Sequence, residues 1–153
     1  MDQSGILLLH LACTLFMTGL IWFVQIVHYP LLAAVGEREF CAYETAHQSR
    51  TSLVVSGPML LEGLTAGWLL AWQPTLWTNV IYMAALVLLV VIWLSTAFLQ
   101  MPLHQSLSRG YDVRRLRWLV QSNWLRTIAW TVRGGFILHF CHTVLSANSS
   151  LAY

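Results

Sequence analysis

The sequence contains no lysine, and only 9% of its residues are charged, against about 25% in an ordinary soluble domain. So little charge cannot cover a globule in water, which turns the chain toward lipid. The formal net charge of +2 therefore rests on arginine alone. Those arginines crowd against apolar runs, so nucleic acid is not expected as a partner. An odd count of 3 cysteines rules out a complete disulfide framework. Cys41 falls in an expected loop, while Cys13 and Cys141 fall in apolar segments, where a thiol behaves as a small hydrophobe. Also missing are a CxxC pair, a Gly-rich phosphate loop, a Ser/His/Asp arrangement, a linker and an internal repeat. The opening stretch MDQSGILLLHLACTLFMTGLIWF has no basic n-region and outruns a signal peptide, so it reads as a retained first span.

What the chain has is apolar length. Its residues are 58% hydrophobic with a mean hydropathy of +0.64, and its 8 tryptophans suit the boundary between headgroups and hydrocarbon. A crossing helix needs about 20 mostly apolar residues. The stretches Gly5 to Leu32, Thr51 to Trp72, Thr78 to Leu99 and Asn123 to Leu145 meet that need. None alternates polar with apolar as a barrel strand does, so they read as helices. The expected fold is all-α: one domain over 1–153, an integral membrane four-helix up-and-down bundle. The segment YDVRRLRWLVQSNW reads as a basic amphipathic helix lying on the surface before the last span.

Arginine also sets the expected orientation. Arg38 and Arg50 belong to the first loop and Arg109, Arg114, Arg115 and Arg117 to the third, while the second loop and the tails have none. The positive-inside rule places the first and third loops in the cytoplasm and both termini outside, in an arrangement suited to a bacterial inner membrane. Asn148 opens an Asn-Ser-Ser sequon on the outer side.

With that topology, polar residues from all four spans meet at the cytoplasmic level. Gln25 and His28 close the first span, His47 and Arg50 open the second, His104 follows the third, and Asn123 and Arg126 open the fourth. Tyr43, His47 and Arg50 follow one helical face. Pro30 and Pro102, each two residues from a histidine, are expected to break or end their helices and free carbonyls. Deeper, Glu62 lies about 18 Å beyond Arg50 and Arg133 about 10 Å beyond Arg126. An unpaired charge there costs several kcal/mol, so a Glu62–Arg133 pair is predicted, with Pro58 kinking the second span beside it. At the outer end His10/Cys13 and His139/His142 have metal-ligand spacing. Helical phase turns the His139/His142 pair away from the Arg126/Arg133 face. The spacing from His10 to His28, about 27 Å, is too long for a two-haem layout.

The segment QMPLHQSL, a basic stretch, and then SNWLRTIAWTVR resemble the anthrone-oxygenase-like family of small four-helix membrane proteins. That family shows a Pro-Leu-Asn or Pro-Leu-His turn after its third helix and Trp-Asn-x-x-Arg-Thr opening its fourth. The matching residues are Pro102, Leu103, His104, Asn123, Arg126 and Thr127, in the last third of the chain; Ser122 stands where the family has tryptophan. The resemblance implies cofactor-independent oxygenation of a flat phenolic substrate.

The expected function is thus that of an oxidoreductase acting on a lipophilic small molecule. Trp22, Tyr29 and Trp124 line its pocket with Gln25, Glu62 and Arg133 as further binding residues. His28, His47 or His104 is the general base, Arg126 stabilises an enolate, and Asn123 orients it. Two other readings stand beside it. One makes His28, His47 and His104 ligands to a transition metal, or two of them ligands to haem. The other makes the chain a homo-oligomer or an accessory subunit of a larger membrane complex.

Overall fold

The computed structural model describes residues 3–150, and the side chains of all of these except Leu145 and 147–150. The Asn148 side chain of the sequon lies outside the described residues. Four long helices account for nearly all of the described residues: α1 (Gln3–Ala33), α2 (Glu37–Trp72), α3 (Val80–Arg109) and α4 (Val113–Ser150). Short connections make neighbours antiparallel. The second connection is a 3-10 turn, Pro74–Thr78, and Asn79 caps α3 by accepting the Tyr82 amide at 2.9 Å. No strand occurs among the described residues.

The first three helices are long and apolar enough to cross a membrane. Among the described residues α4 does not reach the same apolarity, because Arg126, Arg133, His139 and His142 are spread along it. Polarity is inverted across the fold. Glu44, Glu62, Gln25, Gln100, Asn123 and Arg133 are buried, while Leu53, Leu64, Val87, Phe98 and Ile128 face outward.

Three expectations need correction. α2 begins at Glu37, some four turns before Thr51, so Cys41 is helical rather than in a loop, and the helical face expected of Tyr43, His47 and Arg50 belongs to a longer helix. Gly36 enters extended, Glu37 and Glu39 occupy the first turn, where the helix dipole favours acids, and Phe40 is fully buried. Charge read as loop is in fact the solvated face of a helix. The basic segment after the third connection is likewise no separate surface helix. Nothing between Val113 and Asn123 interrupts the helix, and α4 runs unbroken for 38 residues. Leu116 and Leu119 pack with Leu32, Phe40 and Leu107 into a core at the arginine-rich end.

The prolines do not end their helices either. Each is preceded by a π-turn, Val24–His28 before Pro30 and Thr96–Gln100 before Pro102. The amides of Tyr29 and Met101 reach back five residues, to the carbonyls of Val24 and Thr96. Widening the turn accommodates the proline ring, which otherwise meets the carbonyl four residues back. It also realigns the inner face. Steps of four residues drift by about 40° in a regular α-helix, yet Ile21, Gln25 and Tyr29 all stay buried. The same device occurs twice, in front of Pro30-Leu31 and of Pro102-Leu103. α2 continues through Pro58.

α1 and α4 approach closely at Gly134, where a Cβ would stand 3.3 Å from Thr18 Oγ1. Thr18 cannot easily yield, because its hydroxyl is held by the Thr14 carbonyl at 2.8 Å and the Trp130 carbonyl at 3.2 Å. Gly134→Ile is therefore expected to lose about 1–3 kcal/mol through overpacking, read as an earlier denaturation midpoint in detergent. Gly135, with open space around it, serves as the control.

Candidate functional site

Two polar assemblies lie inside the helices. The deeper is built on Arg133 and Glu62, 1% and 0% exposed at the side chain. The guanidinium donates to Glu62 Oε1, to Thr14 Oγ1 at 2.6 Å, to the Ala85 carbonyl at 3.2 Å and to His10 Nε2 at 2.9 Å. Because His10 Nε2 accepts, its proton sits on Nδ1 and is donated to Thr65 Oγ1, 2.7 Å away. Trp130 Nε1 donates to the second carboxylate oxygen at 3.3 Å. The void beside the network has no room for a water molecule. The predicted pair thus exists as geometry, but it is closed on itself. Glu62 and Arg133 do not line the cavity where they were expected to bind substrate, and His10 belongs to them rather than to an outer pair with Cys13. His139 and His142 are exposed.

The second assembly surrounds a cavity of about 190 Å³ nearer the arginine-rich end. Met17, Ile21, Val55 and Met59 form apolar walls and Trp130 is shared with the deeper network; Tyr29, His47, Gln100, His104 and Arg126 supply polar groups. Ser52, Met101 and Gln105 line it and reach the surface, so its mouth lies between α2 and α3. A cavity of about 150 Å³ holds benzene, and drug-sized ligands occupy about 300 Å³ or more. This one suits one or two rings.

Its polar wall is a continuous chain. Gln25 Oε1 accepts from Asn123 Nδ2 at 2.7 Å, and Asn123 Oδ1 accepts from Arg126 Nε at 2.9 Å. The guanidinium reaches Thr96 Oγ1 at 3.3 Å and Gln100 Oε1 at 3.5 Å. Gln100 Oε1 also lies 3.4 Å from the Tyr29 hydroxyl, itself 3.5 Å from His104 Nε2. On the far side of that ring, His104 Nδ1 is 2.5 Å from Glu44 Oε1. Gln48 ties the pair down by donating to the His104 carbonyl at 2.9 Å and to Glu44 Oε1 at 3.3 Å. A carboxylate only accepts, so Nδ1 carries a proton toward Glu44, and in the neutral ring Nε2 is the nitrogen with the lone pair. At 3.5 Å the Tyr29 contact engages that lone pair weakly.

The three histidines do come together, though not as ligands. His28 stacks on His47 with ring centroids 4.1 Å apart and planes at 19°, and His104 lies 5.4 Å from His47. Imidazole lone pairs lie in the ring plane, so stacked rings cannot both aim at one ion. Among the described residues no three His, Cys, Asp or Glu side chains form a metal-binding group. The three-imidazole metal reading is withdrawn on that geometry. No family model matches the chain, and neither does any curated protein or solved structure.

Of the expected pocket residues, Tyr29, His47, His104 and Arg126 face the cavity. Gln25 and Asn123 stand behind Arg126 as its support. His28 stacks behind His47, its Nε2 buried without a hydrogen-bond partner among the described residues. Arg50 and Tyr43 are exposed. Trp22 and Trp124 meet edge to face on the outer surface, 5.7 Å between centroids, and Trp22 Nε1 donates to Thr131 at 2.9 Å. Trp124→Leu is accordingly expected to change ligand affinity less than twofold, an order of magnitude set by its absence from the cavity. Binding titrations check this. Glu44, Gln48 and Gln100 went unremarked in the sequence. The signal was there: Phe40, Glu44 and His47/Gln48 follow helical spacing once α2 is started at Glu37.

Proposed function

We propose that the protein is an integral membrane enzyme of oxygenase type. It removes a proton from a weakly acidic lipophilic molecule of one or two rings and delivers the resulting anion to dioxygen. The observation that carries this reading is the Glu44–His104 pair, whose imidazole faces a cavity with Arg126 on the same polar wall. A carboxylate behind Nδ1 fixes the tautomer that leaves Nε2 free and holds the ring in place. Nε2 takes the substrate's C–H proton, and charge that moves onto the substrate oxygen is met by the Arg126 guanidinium. Asn123 and Gln25 hold Arg126 still, so the donors need no reorganisation as charge develops. In balance, an activated methylene and dioxygen give a ketone and water.

The inverted polarity of the helices supports placement in a bilayer as a four-span bundle, with α4 turning Arg126 and Arg133 inward. The arginine-rich end then lies on the cytoplasmic side. The mouth between α2 and α3 faces lipid, where a lipophilic substrate concentrates.

The test uses 2-tetralone, a two-ring ketone with an acidic methylene, in deuterated buffer. Without oxygen, the protein in detergent is expected to speed deuterium incorporation at that carbon. In air it is expected to consume oxygen in step with diketone formation. Exchange no faster than buffer, with the ketone bound in the cavity, would contradict the reading.

A further inference from the structure

Beside the cavity mouth, at the connection from α3 to α4, a second depression of about 450 Å³ opens to solvent. Gln105 lines both, the cavity on one face of α3 and the depression on the next. Where the cavity is mostly apolar, the depression holds Ser106, Arg109, Asp112 and Arg115. Arg109 is exposed and its side chain has no partner among the described residues. Arg115 donates to Ser106 Oγ and lies 3.6 Å from Asp112 Oδ2.

Asp112 is already committed. It accepts the backbone amides of Arg114 at 2.8 Å and Arg115 at 3.1 Å, which hold its carboxyl below the usual carboxylate range. It caps α4 and leaves the two guanidinium groups in excess over one carboxylate. An apolar slot and a cationic basin thus share one wall residue, Gln105. That is the outline of an amphiphile with an anionic head.

We infer that the ligand of the cavity carries a phosphate-like anionic headgroup, which sits on Arg109 and Arg115 while its apolar body passes Gln105 into the cavity. The inference rests on reading the cavity as the ligand site, but not on any step of proton transfer. Guanidinium–phosphate contacts are charge-assisted and two-pronged, and at a basin this open the surrounding water weakens them.

The experiment titrates octyl phosphate, octanol and inorganic phosphate into the full chain in zwitterionic nanodiscs, reading tryptophan fluorescence or heat. Octyl phosphate is expected to bind about tenfold more tightly than octanol, the scale of a charge-assisted contact discounted for exposure. Arg109→Gln/Arg115→Gln, on exposed side chains, is expected to bring the two within about twofold. Val55→Trp, which fills the cavity, is expected to remove both. In discs containing phosphatidylglycerol, lost octyl phosphate binding identifies a resident lipid as the amphiphile, and unchanged binding identifies a soluble one. Equal affinity for octyl phosphate and octanol overturns the inference. So does inorganic phosphate binding as tightly as octyl phosphate, or discrimination that survives in the double arginine variant. No arm reads turnover, so failure of the proposed reaction and failure of this inference are separable.

Discussion

Glu44→Gln is expected to lower turnover by about 10²–10⁴-fold while the helices remain folded. The amide keeps the size of the side chain, but it presents an N–H where Oε1 accepted from both His104 Nδ1 and Gln48 Nε2. If the amide donates to Nδ1, the ring carries its proton on Nε2, the wrong nitrogen for a base. His104→Gln removes the base itself and is expected to fall in the same range, and the double variant is expected to be scarcely worse than either. Two residues acting as one unit give that non-additivity. Additive losses, or activity retained in Glu44→Gln, place the base elsewhere, with His47 the next candidate. Turnover of 2-tetralone with a parallel denaturation curve separates lost chemistry from lost fold.

The second large effect concerns stability. Arg133→Met leaves Glu62 buried with only Thr14 and Trp130 to satisfy it, and is expected to cost about 3–5 kcal/mol. Glu62→Gln leaves Arg133 without its counter-charge and is expected to be similarly damaging. Because most of either loss comes from stranding the other charge, Glu62→Gln/Arg133→Met is expected to recover part of it. Denaturation midpoints of the four proteins give the coupling directly. Strictly additive damage would falsify the pairing as an energetic unit. Trp130 donates to Glu62 and also lines the cavity, so the single variants should weaken ligand binding as well, through a shifted indole.

These two units were unequally legible in the sequence. Glu62 and Arg133 stand out because a charge deep in an apolar run needs a partner, and the reach of an arginine side chain closes the gap between their depths. His10, Thr14 and Thr65, which complete the network, look like ordinary interruptions of a hydrophobic helix. Gln25, Asn123 and Arg126 were placed at one level by topology, and they form one hydrogen-bonded row. Glu44 was hidden by its neighbours. Glu37, Arg38, Glu39 and Arg50 place the expected start of the span at Thr51, and although Tyr43, His47 and Arg50 read as one helical face, the face carrying Glu44 was not followed inward. Gln100 was hidden by Pro102, since a helix thought to end near Leu99 offers no wall to a cavity. The π-turns that let both helices run on past proline follow from backbone geometry that hydrophobic periodicity does not carry. Trp22 and Trp124 were assigned to the pocket by residue type alone, and their exposed faces show why type is not enough.

The central claim is that the cavity takes a proton with His104 and holds the resulting anion on Arg126. It is tested most directly by binding 4-nitrophenol, a one-ring acid whose phenolate absorbs at longer wavelength than the phenol. The bound molecule is expected to show the phenolate band at a pH where the free molecule is still mostly neutral. His104→Gln is expected to abolish that ionisation, and Arg126→Gln to weaken phenolate binding by about tenfold or more. A bound 4-nitrophenol that stays neutral in the native protein, or phenolate binding unchanged in both variants, would contradict the account.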